Sequence, residues 1–331
     1  MLVSLQAYQT YILPLASFVA QLVDLPPTWA RHERALTTLL CPGARGWATP
    51  QFLGQLKSLG YAAELPDARA LSAGARCRVY RWENQANGGL RLRPRARRIA
   101  AAWSSSPHLS RTTCWASWLQ SNMAYTVVKA YDDLSNLATQ ENSTVDTLVQ
   151  GTREDPLPRR QWQRRCGHLL HPQNVGIRDV HLRRRLDQWP LQVLPARRVP
   201  RATAILQHLG PLVQPCVWAA ACKALVGGWT TNPGAPCPFG CPHGQDTILH
   251  YAFCRVLQEL FQAKLQLELG VATSRLDDFL LFTTTSDDAL ARRAQGLYAT
   301  FKATNAARHG PTEMRGAWLQ AYAEGSAPRR H

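Results

Sequence analysis

Apolar and polar positions at the start of the chain alternate with the period of short helices, interrupted by Pro and Gly. "YILPLASFVAQLV" predicts an apolar helix kinked or divided at Pro14, and "PPTWARHERALTTLL" predicts a restart with Pro27 near the first helical position. The clearest unit is "TPQFLGQLKSLG". Thr49 is the expected cap, Pro50 sits in the first turn, Phe52, Leu53, Leu56 and Leu59 form one face, and Gly60 ends the element.

The pattern changes after Arg76. Eight arginines and one acid, Glu83, fall between Arg76 and Arg98, and "NQANGGLRLRPRARR" joins a glycine turn to alternate arginines, which predicts a basic loop or linker. A helical block containing Trp103, Trp115, Trp118 and Tyr125 then fades into the polar "LATQENSTVDTLVQGTREDPLP". The expected organisation is a helical region at 1–140, a polar linker at 141–157 and a basic helical domain at 158–331, all mainly α.

Within the last of these, "RRQWQRRCGHLL" and "HLRRRLDQW" predict short Arg-faced helices, and "PRATAILQHLG" and "QPCVWAAACKALVGGW" predict two helices separated at Gly210 and Pro211. "DTILHYAFCRVLQELFQAKLQLELG" predicts one long helix capped by Asp246 and stopped at Gly270. Helices near 286–308 and 312–323 are expected to finish the chain.

Composition adds a partner class. The 331 residues are 45% hydrophobic, enough for a buried core, and 38 Lys and Arg against 22 Asp and Glu leave a formal charge of +16. Such an excess, almost all of it arginine, attracts polyanions, and RNA or DNA is the first partner it implies. A GC-rich genome would favour arginine too, so the composition has a second, non-functional source. Arg91, Arg93, Arg95, Arg97 and Arg98, and Arg183, Arg184 and Arg185, are the expected phosphate contacts, with Trp82, Trp162 or Trp189 available to stack on unpaired bases. Met1 to Val23 has no basic flank and is interrupted by Gln6, Gln9, Pro14 and Gln21, so neither a secretory signal nor a membrane span is expected. The expected setting is nuclear or cytoplasmic, where nine cysteines stay reduced, some of them on a metal.

The metal expectation rests on "CPFGCPHGQDTILHYAFC", residues 237 to 254. Cys237 and Cys241 bracket a Pro and Gly turn that can bring two thiolates to one side of a loop. His250 and Cys254, four apart, would lie one above the other on a helix face. Three thiolates and an imidazole complete a tetrahedral zinc site with no open position, which predicts a structural Zn2+. His243 is a weaker substitute for His250.

"GGWTTNPGAPCPFGCPHGQDTILHYAFC" resembles the cysteine-rich region near the C-terminus of non-LTR (LINE-type) retrotransposon reverse transcriptases, where a CxxxC pair is followed by HxxxC. "RATAILQHLGPLVQPCVWAAACKALVGGW" is similar to the segment leading into it, and "YQTYILPLASFVAQLVDLPPTWARHERALTTLL" resembles the helical thumb that follows the polymerase palm. The retroviral zinc knuckle, with shorter spacing and internal glycines, matches less well. The resemblance implies a thumb-like helical bundle at 1–140, then a helical C-terminal domain with a CCHC zinc element at 237–254. It also implies a nucleic-acid-binding role.

A polymerase palm needs metal-binding carboxylates. "VVKAYDDLSNL" places Asp132 and Asp133 after Tyr131, yet Ala130 stands where the family has an aromatic residue, and the pair follows the thumb-like helices instead of preceding them. The pair is expected to be two acids on an exposed helix end or turn. No GxxxxGK[ST], HExxH or GxSxG pattern occurs, and Cys41, Cys77 and Cys166 are expected to be buried thiols. The expected protein is a fragment lacking palm and endonuclease, not catalytic alone, with Met1 beginning a truncated element or a partial gene model. Its alternatives are an accessory subunit completing a polymerase whose palm lies on another chain, and a non-functional relic.

Overall fold

The computed structural model of the chain describes residues 1–20, 25–26, 28–44, 46–86, 129–130, 132–150, 157–172, 176–242, 244–266, 275–283 and 286–309. Among these residues the fold is mainly helical. The helices begin with α1 (Leu2–Ala7), α2 (Leu13–Val19), α3 (Trp29–Leu40), α4 (Pro50–Leu53) and α5 (Ala68–Ala86). They continue with α6 (132–140), α7 (Val145–Gln150), α8 (Arg159–Leu170), α9 (Gly176–Leu186), α10 (Pro195–Leu212) and α11 (Pro215–Leu225). A hairpin of β1 (Asn232–Pro236) and β2 (Gln245–Asp246) precedes α12 (Ile248–Phe253), α13 (Arg255–Leu265), α14 (Arg275–Phe279) and α15 (Asp287–His309). No described helix is long and apolar enough to cross a membrane.

Two compact units emerge, and both are discontinuous in sequence. One comprises Met1–Gln6, Glu33–Leu65 and Val175–His331; the other comprises Ala7–His32 and Pro66–Asn174. The boundary expected at 141–157 does not separate them. That polar stretch instead carries α7, whose first turn is capped by Thr144 (Thr147 N to Oγ1, 3.1 Å), and it buries Val145 and Val149. These valines join Cys77, Leu134, Trp162 and Cys166 in the core of the second unit.

In that unit α5 and α8 cross at small residues. A Cβ on Gly74 would stand 2.3 Å from the carbonyl of Gln163, and one on Gly167 would stand 2.1 Å from the carbonyl of Ala70. Near the N-terminus, Pro14 has no N–H to continue the ladder, and a π turn over Tyr8–Ile12 takes up the mismatch between α1 and α2.

The "TPQFLGQLKSLG" reading holds in the first unit, with one break. Thr49 accepts from the Phe52 amide (3.1 Å), and Phe52, Leu53, Leu56 and Leu59 are fully buried. Gly54 ends α4, and a 3₁₀ turn over Leu56–Leu59 continues to Gly60, which closes it at φ 85°. Gly60 lies directly against Gly210 of α10, where an added Cβ would meet the Gly60 carbonyl oxygen at 2.2 Å. Gly210 and Pro211 were expected between two helices, yet both lie within α10. The chain leaves the helix only at Val213, and Pro215 opens α11.

Gly210→Ala tests this crossing. Alanine improves helix propensity by roughly 1 kcal/mol, but its methyl meets backbone that cannot rotate away. The expected net change is a destabilisation of about 1–3 kcal/mol, read from the urea midpoint.

Indole nitrogens fasten the same unit. Trp47 donates to the Cys41 carbonyl (2.9 Å), Trp189 to Leu225 (3.0 Å), Trp218 to Leu206 (2.9 Å) and Trp229 to Ala220 (3.1 Å). Lys223 is buried beside them, its ammonium donating to the Pro42 carbonyl (2.7 Å) and lying 5.0 Å from the Trp47 ring centre.

Candidate metal centre

The site is built on the hairpin and the helix that follows it. β1 and β2 are antiparallel, with Asn232 opposite Asp246 and an irregularity before Pro236 and Gln245. The Cys237 amide donates to the Gly244 carbonyl (2.8 Å), which extends the pairing into the loop. Inside that loop Gly240 N–H bonds to the Cys237 carbonyl (3.1 Å), with Gly240 at φ 85°, a conformation that favours glycine. The turn brings Cys241 back beside Cys237.

The second ligand pair arrives differently from the expectation. Thr247, not Asp246, caps α12, accepting from the His250 amide (3.0 Å). The helix then stops at Phe253. Cys254 has extended backbone, φ −67° and ψ 116°, and α13 starts afresh at Arg255. His250 and Cys254 therefore converge across a break between two helices, not along one face. The run also ends earlier than Gly270, at Leu265, with Gln266 in the left-handed region at φ 50°.

Cys237 Sγ, Cys241 Sγ, Cys254 Sγ and an imidazole nitrogen of His250 all lie within 4.8 Å of one another. The Sγ of Cys254 is 4.0 Å from that of Cys237 and 3.2 Å from that of Cys241. Tetrahedral thiolates about 2.3 Å from one ion would be roughly 3.8 Å apart, between these two separations. His250 Nε2 is buried and has no hydrogen-bond partner among the described residues, as a ligand nitrogen awaiting a metal would. Gly244 is pressed against that ring, where a Cβ would fall 2.3 Å from Nε2. The Phe239 amide points at Cys237 Sγ (3.4 Å). The residues fit a metal ion held by three sulfurs and one nitrogen.

The thiols share protons accordingly. Hydrogen bonding from the Cys254 thiol holds Cys237 well below the usual thiol range, against the opposing effect of burial. The same bond, followed by burial, pushes Cys254 well up. Elsewhere, burial raises Cys41 to about 11 and Cys222 to about 12. Cys41, Cys77 and Cys166 are all buried, as expected.

Behind the four ligands lies a polar clamp that the sequence reading missed. Asp246 is buried and accepts bidentately from Arg308 Nη2 (2.7 and 2.8 Å), again from Arg308 Nε (3.1 Å), from the Asn232 amide (3.2 Å) and from the Tyr251 hydroxyl. Burial first, then that hydrogen bond, raises the Tyr251 phenol. Tyr251 packs edge-on against Phe239 (5.8 Å) and near Trp229 (6.3 Å), which in turn touches Phe301 (5.5 Å). The only sequence signal for this clamp was an acid at a strand-to-helix junction, and there the helix cap was the simpler assignment.

The arginines divide. Arg183 and Arg184 are exposed on the last turn of α9, while Arg185 is half-buried and donates to the Gly46 carbonyl. Its neighbours in the basic block are also engaged: Arg198 holds the Val193 and Leu191 carbonyls (2.9 and 3.0 Å), and Arg201 holds that of Phe282 (2.6 Å). Arg91, Arg93, Arg95, Arg97, Arg98 and His243 lie outside the described residues. Trp162 is core and Trp189 is tied to Leu225, so neither is a ready stacking platform; the Trp82 side chain is outside the described set. Asp132 and Asp133 are exposed positions of α6. No family model, curated protein or solved structure matches the chain.

Proposed function

We propose that the chain is a nucleic-acid-binding module of the kind found after the palm in LINE-type reverse transcriptases, with a structural zinc on Cys237, Cys241, His250 and Cys254. The observation that carries the reading is the convergence of those four ligand atoms within 4.8 Å, on the CxxxC and HxxxC pattern that carries the resemblance. Four protein ligands close the coordination shell, so the ion fastens the hairpin to α12 and takes no part in chemistry. The chain binds RNA or DNA through arginine contacts to phosphate and does not polymerise alone; a palm-bearing chain is its natural partner. The free thiols at Cys41, Cys77, Cys166 and Cys222 support an intracellular setting.

The test is the salt dependence of RNA and duplex DNA binding, followed by fluorescence anisotropy. Binding is tight at low salt and falls steeply as salt rises, each phosphate contact adding close to one unit of slope on duplex DNA. Replacing Arg183 and Arg184 by Ala lowers the slope by up to about two units, whereas Arg185→Ala acts on stability through its lost bond to Gly46. No binding at low salt would refute the reading, as would nucleotide incorporation on a primed template that Asp132→Asn abolishes.

A further inference from the structure

Next to the metal element, between α12 and α13 on one side and α14 and α15 on the other, lies a small cavity of about 30 Å³. Tyr251, Phe261 and Phe279 form its apolar wall, and Arg275, Arg293 and Asp278 its charged one. Asp278 is already engaged: Arg293 Nη1 lies 3.1 Å from Oδ1, and the Thr283 hydroxyl donates to it. Arg293 also reaches the Thr283 oxygen (3.1 Å). Gln258 donates its amide to the Ala252 carbonyl (3.3 Å). Arg275 is different. Its Nε is buried with no hydrogen-bond partner, and it makes no ion pair among the described residues.

An unmet buried donor on a charged group costs on the order of 1–3 kcal/mol or more, so something in the native state should meet it. Two guanidinium groups against one carboxylate leave the cavity with one net positive charge, which favours an anion. The space is of the order of a few water molecules, the size of a small tetrahedral oxyanion and too small for a nucleobase. We propose that the cavity binds a phosphate-class oxyanion, with Arg275 Nε–H donating to one of its oxygens. The Arg–phosphate geometry suits the planar fork. Free phosphate and the terminal phosphate of a nucleic-acid strand carry the same group, and neither source depends on the metal assignment.

The experiment is calorimetric titration of the full chain with inorganic phosphate at constant ionic strength, comparing wild type, Arg275→Gln, Arg275→Lys and Arg255→Gln. Arg255 is exposed on α13 and pairs with Glu259, so it controls for surface charge. Phosphate binding should be unchanged in R255Q, about tenfold weaker or worse in R275Q, and intermediate in R275K. A second arm compares one RNA strand with a 5′-phosphate and with a 5′-hydroxyl. A preference for the phosphorylated end that R275Q removes identifies the strand as the source; retained phosphate binding with no such preference identifies a free anion. Absence of phosphate binding in folded wild type, or equal weakening in R255Q and R275Q, overturns the proposal. A chain that binds phosphate but no nucleic acid at low salt refutes the nucleic-acid reading alone.

Discussion

If Cys237, Cys241, His250 and Cys254 hold zinc as proposed, removing the metal is expected to unfold the segment from Asn232 to Phe253 while leaving the α5 and α8 crossing intact. Binding of a structural zinc is worth about 10–16 kcal/mol in isolated zinc-finger peptides, far more than a five-residue strand paired with a two-residue one can supply. Hydrogen exchange with and without chelator should show lost protection at the amides of Cys237, Gly240, Gly244 and His250, and little change in α5 and α8. Dialysed protein should carry about one zinc per chain, and Cys237→Ser and Cys254→Ser should each lower that content. Unchanged stoichiometry in both variants refutes the site. The pH dependence has a defined sign. In the metal-free site Cys254 keeps its proton, because its bond to Cys237 and its burial raise it, and zinc must displace that proton. Zinc affinity therefore falls as pH falls.

Asp246→Ala should be the most damaging single substitution outside the ligand set. It strands the Arg308 guanidinium, the Tyr251 hydroxyl and the Asn232 amide at once, and breaking one side of a buried ion pair costs about 3–5 kcal/mol. Urea melts of D246A, R308A and the double variant separate the pair from its surroundings. If the pair is coupled, the double variant loses less than the sum of the single ones. A loss in D246A below roughly 0.5 kcal/mol, the range of ordinary surface changes, would show that the clamp contributes nothing.

Where local chemistry decides the structure, the sequence was readable. Thr49, Pro50 and Gly60 act through their own backbone and neighbouring groups, and the Cys237 to Cys241 turn needs only Pro and Gly. The cluster of Cys237, Cys241, His250 and Cys254 is readable because such residue types are rare and their spacing short. What failed was decided by partners far along the chain. Periodicity gives no warning that the helix breaks at Cys254, since apolar positions run on through the break. Gly210 and Pro211 look like a boundary until Gly60 is known to need a residue without a side chain beside it. The arginine runs looked alike, and only tertiary contacts distinguish Arg183 and Arg184, facing water, from Arg185, Arg198 and Arg201, spent on carbonyl groups.

The interleaving of the two units has a consequence for synthesis on the ribosome. Residues 33–65 emerge early, yet their packing partners on α9, α10 and α11 are not translated until more than a hundred residues later. During that interval the intervening segment 66–174 is already complete and can collapse with residues 7–32, leaving Phe52, Leu53, Leu56 and Leu59 exposed to solvent or to a chaperone. Closing so long a loop is entropically costly and slow. A released chain ending at residue 175 should therefore already resist protease over α5 and α8 while remaining cleavable at 50–60, and cutting the gene at 157 should yield two products that each lack part of a core.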